Sequence, residues 1–159
     1  MILVTVGSSG TAFDRLLREL ESLDTSEELF VQHGPSQVRP PNARCVAFMH
    51  FNELRDAVRS ARVVITHAGV GSVLLALMNG KRPVVVPREP RYGEVVDDHQ
   101  VLFAERLARD DLVTLIRDPR DLRRALDNGH PNGATARRRE GSKLEAELAD
   151  YLRQTLNEE

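Results

Sequence analysis

The chain has 159 residues, of which 41% are apolar and 29% are charged, and its formal net charge is −2 at pH 7. This length and composition predict a single domain spanning residues 1–159, and the near-neutral charge gives no general attraction to nucleic acid or to an anionic membrane. A lone cysteine, an opening segment without the basic region of a signal peptide, and the lack of an apolar run of ~20 residues together predict a cytoplasmic protein.

Short apolar runs alternate with amphipathic stretches along the chain. The predicted strands are 2–6, 29–33, 45–48, 63–66, 83–86 and 112–116. The first predicted helix follows a cap at Thr11, and the second runs from a cap at Asn52 to Ser60. Two further helices span 71–80 and 97–109. Another helix starts at Asp118, and a C-terminal helix carries Leu144, Leu148, Leu152 and Leu156. This alternation predicts an α/β fold in which one doubly wound, Rossmann-like parallel sheet carries helices on both faces. Ligands of such folds bind at the carboxyl ends of strands where the strand order reverses, which here directs attention to the breaks after Val6, Phe48, Thr66 and Val86.

The fourth predicted strand ends in the segment THAGVGS, residues 66–72. Gly69 and Gly71 let the backbone turn sharply and approach a ligand without an intervening Cβ. The amides and the positive dipole end of the next helix favour a phosphate, and Ser72 and His67 add a hydroxyl and a ring N–H. The alternative is that the glycines only allow close packing of strand and helix, with His67 as an ordinary loop residue. The segment has neither the Gly-Lys-Ser/Thr of a Walker loop nor the third glycine of the dinucleotide fingerprint, which argues against a dinucleotide oxidoreductase.

A second set of small residues, Gly7, Ser8, Ser9 and Gly10, lies between the first strand and its helix. Because the carboxyl ends of parallel strands share one edge of the sheet, the two sets together predict a common anion pocket. Taken alone, the residues after the first strand are equally consistent with a solvent-exposed turn.

The segments ITHAGVGSVLLALMNGKRPVVVP and DDHQVLFAERL, with the opening ILVTVGSSGTAFDRLLREL, resemble the nucleotide-sugar-binding C-terminal domain of glycosyltransferase family 28. The resemblance covers most of residues 1–110. It is to the stand-alone form of that domain, which is the small catalytic subunit type of bacterial exopolysaccharide synthesis and of the eukaryotic dolichol-linked GlcNAc transferase. It implies the fold of the C-terminal half of a GT-B enzyme, and an inverting transfer of a hexosyl group from a UDP-sugar to a lipid-linked acceptor in polysaccharide or glycolipid biosynthesis.

The resemblance also implies a role for each matching position. The donor diphosphate would be bound by Gly7, Ser8, Ser9, His67, Gly69, Val70, Gly71 and Ser72. Uracil would be received by the main chain at Phe48 and Met49, and the sugar hydroxyls by Asp98, His99 and Gln100. His67 is also a candidate for the catalytic base, which is otherwise unassigned, and the roles of Arg88 and Glu94 are open.

One position departs from the family pattern. Relatives commonly carry a glutamate three residues after the serine that matches Ser72, and its carboxylate accepts hydrogen bonds from the ribose hydroxyls. This chain has Leu75 there, and a leucine side chain accepts no hydrogen bond. The departure favours the alternative that the chain is a non-catalytic nucleotide-binding module that regulates a partner transferase, and it leaves the identity of the nucleotide open.

The family reaction leaves negative charge on the departing diphosphate, which donors fixed at a helix N-terminus stabilise without a metal ion. The chain has no D-x-D metal motif, so we expect no metal and no cofactor. In two-domain relatives the acceptor surface belongs to the other half of the enzyme. The resemblance therefore implies a membrane-anchored partner subunit that binds the lipid-linked acceptor and brings this chain to the inner face of the membrane.

Overall fold

The computed structural model describes residues 1–8 and 10–127. The strands are β1 (Ile2–Thr5), β2 (Leu29–Gln32), β3 (Ala43–Val46), β4 (Val63–Thr66), β5 (Val84–Val85) and β6 (Thr114–Leu115). The helices are α1 (Asp14–Glu21), α2 (Phe51–Ser60), α3 (Val70–Met78), α4 (His99–Arg109) and α5 (Leu122–Asp127), with short 3₁₀ turns at Pro90–Tyr92 and Pro119–Asp121. Ser9 and the predicted C-terminal helix lie outside the described residues. No helix within residues 1–8 and 10–127 combines the length and apolar character needed to cross a membrane.

The described strands form one parallel sheet in the order β3-β2-β1-β4-β5-β6. From β1 the chain moves outward through β2 and β3, then returns to the other side of β1 and moves outward through β4, β5 and β6. The order therefore reverses between β1 and β4, where Val4 pairs with Ile65. This is the strand order of the Rossmann sheet, and it confirms the predicted doubly wound α/β fold.

Apolar side chains cover both faces of the central strands. Since successive strand residues point to opposite faces, Val4 packs with Leu16 and Leu17 of α1, whereas its neighbour Leu3 packs with Val58 of α2. All five side chains are at most 1% exposed. A sheet covered on both sides explains why these strands are continuously apolar rather than alternating.

The third strand lies two residues earlier than predicted. It pairs with β2 from Ala43 to Val46, whereas the sequence predicts residues 45–48. The Ala43 amide donates to the Pro40 carbonyl at 3.1 Å, so a turn at the end of the proline-rich loop leads directly into the strand. Phe48 therefore follows the strand instead of ending it.

Two predicted helix caps are wrong. Helix α1 begins at Asp14 rather than after Thr11, because the Phe13 amide at its start donates to the Ser36 hydroxyl oxygen at 2.7 Å. Helix α2 is capped by His50 rather than Asn52, in a reciprocal arrangement in which the His50 amide donates to the Glu53 carboxylate at 2.8 Å. A partner distant in sequence thus accompanies the start of α1, and a local capping box fixes the start of α2.

Candidate functional site

The loops after β1 and β4 meet around one histidine at the point where the strand order reverses. A Cβ placed on Gly7 would lie 2.8 Å from Cε1 of His67, and a Cβ placed on Gly69 would lie 2.2 Å from its Nε2. Both distances are shorter than the ~3.5 Å at which heavy atoms pack, so the imidazole requires glycine on both sides. The structure therefore brings the two predicted diphosphate loops together.

The first loop, residues 7–10, is held in place by contacts with residues at the end of β2. Gly7 and Gly10 have positive φ angles of +78° and +74°, in the left-handed region that glycine adopts freely. The Gly7 carbonyl accepts a hydrogen bond from Nε2 of Gln32 at 3.1 Å. Gly34 packs so closely beneath it that a Cβ there would lie 2.3 Å from the Gly7 oxygen. Ser8, the described serine of this loop, is exposed.

Gln32 and Gly34 were missed at the sequence level. Gln32 is buried, and its side-chain oxygen accepts from the Thr5 hydroxyl at 2.5 Å. Its Nε2 donates to the Ala47 carbonyl at 3.1 Å as well as to Gly7, which ties the first loop to the segment that follows β3. One signal in the sequence could have identified them. The apolar run of β2 ends in a polar Gln-His pair followed by a glycine, and an apolar core alone does not require polar residues there.

The second loop leads into α3 through Gly69, which occupies the N-cap position. The first intrahelical bond runs from the Val73 amide to the Gly69 carbonyl at 3.1 Å, so the amides of Val70, Gly71 and Ser72 have no acceptor within the helix. Apart from its chain neighbours and the backbone of α3, a Cβ placed on Gly71 would meet no atom of the described residues within 4 Å. The helix N-terminus therefore opens onto free space that a side chain at position 71 would occupy, as an anion-binding corner requires.

His67 is a neutral donor at physiological pH. Burial, reinforced by the positive charge of Arg88, lowers its pKa from 6.5 to about 4, and a hydrogen bond with the Thr5 backbone acts in the opposite direction. Its Nδ1 lies 3.5 Å from the Thr66 hydroxyl. A neutral imidazole offers one N–H donor and one acceptor, which suits contact with a phosphate oxygen.

The two residues predicted to receive uracil differ in exposure. Phe48 is 57% exposed, and its ring meets that of His50 edge-on with centroids 5.2 Å apart. Met49 is buried in the core cluster beneath α2 and α3. Both follow β3 at the carboxyl edge of the sheet, connected to the first loop through the Gln32 amide, and their role in binding uracil remains a prediction.

The three residues predicted to contact sugar hydroxyls lie in different surroundings. Gln100 accepts a hydrogen bond from the Arg88 amide at 3.2 Å, so its side chain lies against the segment that follows β5. Asp98 is exposed at the N-cap of α4. His99 pairs with Asp97 at 2.8 Å and lines a groove of about 540 Å³ along α4, to which no residue of either glycine loop contributes.

Leu75 is 8% exposed and belongs to the same core cluster as Met49, Val58 and Ala76. The position at which relatives are expected to carry a ribose-binding carboxylate is thus filled by apolar packing between α2, α3 and the sheet. Among the described residues, no group of three or more His, Cys, Asp or Glu side chains is placed to hold a metal ion.

Sequence comparison connects this arrangement to known proteins. The family model of the glycosyltransferase family 28 C-terminal domain matches residues 1–154. The UDP-N-acetylglucosamine transferase subunit ALG13 of Yarrowia lipolytica is 44% identical over 62 residues, which are 39% of this chain and 30% of that protein. The Homo sapiens protein of the same name is 32% identical over 123 residues, 69% of this chain and 10% of that protein. The chain thus spans less than a third of the length of these relatives.

Solved structures share the fold. The glycotransferase of kitacinnamycin superposes with a TM-score of 0.61 at 23% identity, covering 94% of this chain and 39% of that one. MurG of Acinetobacter baumannii gives a TM-score of 0.61 at 23% identity, covering 87% of this chain and 45% of that one. These likenesses confirm the predicted fold, that of one half of a GT-B glycosyltransferase, and at this identity they show the fold alone.

Proposed function

This chain belongs to glycosyltransferase family 28, as a C-terminal domain of that family, and we propose that it is the donor-binding catalytic subunit of an inverting UDP-sugar transferase. The observation that carries the proposal is the open corner at Gly71, where the N-terminus of α3 faces free space beside His67 and the first loop. The corner lies where the strand order reverses, which is where doubly wound sheets bind nucleotides.

The proposed chemistry is displacement at the anomeric carbon. An acceptor hydroxyl attacks that carbon from the face opposite the nucleotide, the bond to the β-phosphate oxygen breaks, and its electron pair stays on the departing diphosphate. The amides of Val70, Gly71 and Ser72 and the dipole of α3 stabilise this charge without reorganising, and no metal or other cofactor is needed in this scheme. His67 adds a neutral N–H donor at the same corner.

The general base has to lie near the attacking hydroxyl. With a pKa of about 4, His67 is a weak base at neutral pH, so we assign it to the phosphate instead. The relatives are named as transferase subunits, which supports a partner for this chain. We propose that a membrane-anchored partner binds the lipid-linked acceptor, supplies the base, and holds this cytoplasmic chain at the inner face of the membrane.

Calorimetry with UDP tests the donor site. Gly71→Val places a branched side chain in the open corner, and we expect UDP affinity to fall by at least about tenfold while the unfolding transition stays cooperative. Met78→Val introduces the same side chain at the opposite end of α3, where Met78 is 82% exposed, and should leave UDP affinity unchanged. Undiminished UDP binding by Gly71→Val would contradict the diphosphate assignment.

Leu75 favours a second candidate, a non-catalytic nucleotide-binding module that regulates a partner transferase. An apolar residue at that position leaves the ribose hydroxyls without the carboxylate expected of relatives, so UDP and 2′-deoxy-UDP should bind within about threefold of each other. Transfer assays with and without the companion subunit separate the two candidates. Tight UDP binding without sugar transfer in either assay would support the regulatory module.

A further inference from the structure

Arg88 lies beneath the first loop and connects its two ends. The residue follows β5, and only 3% of its surface is exposed. One guanidinium nitrogen, Nη2, donates to the Val6 carbonyl at 2.8 Å, and the other, Nη1, donates to the Thr11 carbonyl at 2.5 Å and to the Thr11 hydroxyl oxygen at 2.9 Å. Because Val6 and Thr11 flank residues 7–10, the rigid planar fork of the guanidinium sets the separation of the ends of the loop.

Glu94 fastens the segment that carries Arg88 to the rest of the site. Its carboxylate accepts two parallel hydrogen bonds from Arg15 of α1, each 2.9 Å long, and a third from the Glu89 amide at 3.0 Å. Its backbone carbonyl accepts from the Thr11 hydroxyl at 2.5 Å. The segment from Arg88 to Glu94 is therefore attached both to α1 and to the first loop.

The charges of this cluster do not balance. Arg15 and Arg88 bring two positive charges against the one carboxylate of Glu94, while Glu89 is paired with Arg91 at 2.9 Å. Arg88 Nε is buried and has no hydrogen-bond partner among residues 1–8 and 10–127. Burial lowers the pKa of Arg88, with Glu94 acting in the opposite direction, and the charge of Arg88 is felt at His67, whose pKa it depresses. A buried charge that is incompletely compensated is costly, and a nearby anion reduces that cost.

We propose that Arg88 is a positioning residue of the diphosphate site, which holds both ends of the first loop and whose excess positive charge favours the anion that the two glycine loops receive. This inference rests on the proposed function and deepens it. It assigns anion affinity in part to a side chain that is screened from solvent, rather than to the loop amides and the α3 N-terminus alone. It also predicts different effects on anion affinity for the two charged residues: removing Arg88 weakens anion binding, and removing the charge of Glu94 does not.

Calorimetric titration with UDP, inorganic pyrophosphate and uridine tests the inference. Arg88→Gln should weaken UDP and pyrophosphate by at least about tenfold and uridine by less than about twofold, since uridine carries no phosphate. Arg88→Lys keeps the charge but not the guanidinium fork, so it should bind pyrophosphate more tightly than Arg88→Gln and less tightly than the unmodified protein. Glu94→Gln should bind pyrophosphate at least as tightly as the unmodified protein. Arg62→Gln removes one positive charge at the opposite edge of the sheet and should leave all three affinities unchanged.

Equal weakening of pyrophosphate binding by Arg88→Gln and Glu94→Gln would show a purely structural clamp and would overturn the inference. So would an Arg88→Gln variant that binds pyrophosphate as well as the unmodified protein does. If circular dichroism shows that Arg88→Gln does not fold, the test depends on Arg88→Lys and Glu94→Gln. Loss of pyrophosphate binding in Glu94→Gln but not in Arg88→Lys would then overturn the inference. Failure of the unmodified protein to bind either UDP or pyrophosphate would instead remove the proposed function.

Discussion

Polar side chains differ in burial between the two edges of the sheet: the amino edge, where the strands begin, and the carboxyl edge, where they end. At the amino edge, Nε of Arg62 lies 2.8 Å from both carboxylate oxygens of Glu27, and the two side chains are 30% and 27% exposed. At the carboxyl edge, Gln32 and Arg88 are buried and bind backbone carbonyls of the loops. Burying a polar group is unfavourable unless its hydrogen bonds are made, so the burial of Arg88, whose Nε lacks a partner among the described residues, has a cost that the partly solvated Glu27–Arg62 pair avoids. The difference indicates that loop geometry, rather than stability, explains the polar residues of the carboxyl edge.

A finer contrast exists within the HAGVGS segment. Gly69 is required by the protein itself, because the His67 ring occupies the space of a Cβ. Gly71, two residues later, faces no atom that would exclude a side chain. The protein's own packing therefore does not require glycine at position 71, which is why Gly71→Val is a suitable test of the proposed diphosphate site.

The largest expected effect is at Gly34. Its φ of +54° is unfavourable for an alanine, and the new Cβ would lie 2.3 Å from the Gly7 carbonyl oxygen. We expect Gly34→Ala to lower the free energy of unfolding by about 3 kcal/mol, measured by urea denaturation. Gly80→Ala is the control, since Gly80 has a similar φ of +70° but no atom within 4 Å, and it should cost about 1 kcal/mol. Equal costs would show that the first loop moves aside freely.

The second effect is a loss of stability in acid that depends on His67. Its pKa is 6.5 in the unfolded chain and about 4 in the folded protein, so the unfolded state binds the proton first as the pH falls. The contribution is therefore present above pH 6.5 and is lost as the pH falls toward 4, amounting to about 2 kcal/mol between pH 7 and pH 5. Urea denaturation at several pH values should show a shallower pH slope for His67→Gln. Identical slopes would mean that the imidazole is not buried at the carboxyl edge.

The third prediction separates the two glycines of the second loop. The backbone of Gly69, with φ −75°, suits any residue, so Gly69→Ala should cost about 1–2 kcal/mol, mainly through the His67 ring and to a smaller extent because alanine is a poor N-cap. Gly71→Ala should raise stability by up to about 0.5 kcal/mol, since alanine favours the helix. Most of the cost at Gly69 should disappear in a His67→Ala background, and an undiminished cost there would contradict the assignment.

The smallest effect is expected at the amino edge. Glu27 and Arg62 are partly solvated, and the hydrogen bond from the Arg62 guanidinium holds the pKa of the Glu27 carboxyl below its usual value. We expect Arg62→Gln to lower the free energy of unfolding by about 0.5 kcal/mol, and by less at high salt. A cost as large as that of Gly34→Ala, measured under the same conditions, would remove the contrast between the edges.

Much of the fold was predictable because it depends on local pattern. The apolar run at 63–66 coincides with β4, and the glycines after β1 and β4 meet because parallel strands end at one edge. The alternation of strands and helices predicts a doubly wound parallel sheet, whereas the strand order itself comes from the pairing of β1 with β4 in the structure.

The remaining features depend on contacts between distant segments. Thr11 has the side chain of a helix cap, yet its hydroxyl is used by Glu94 and Arg88, some eighty residues away. Likewise, nothing in the sequence near Gly34 shows that the Gly7 carbonyl lies against it. Spacing along the chain carries no information about such partners, which is why Gln32, Gly34 and the role of Arg88 emerge from the structure.

The side-chain amide of Gln32 has one further consequence. A single nitrogen donates to carbonyls at Gly7 and at Ala47, on two strand ends that are separated by β2 itself. Neither segment can be displaced without breaking one of these bonds or carrying the other segment with it. The segments that follow β1 and β3 are therefore linked through Gln32, and we expect a displacement of one to be transmitted to the other.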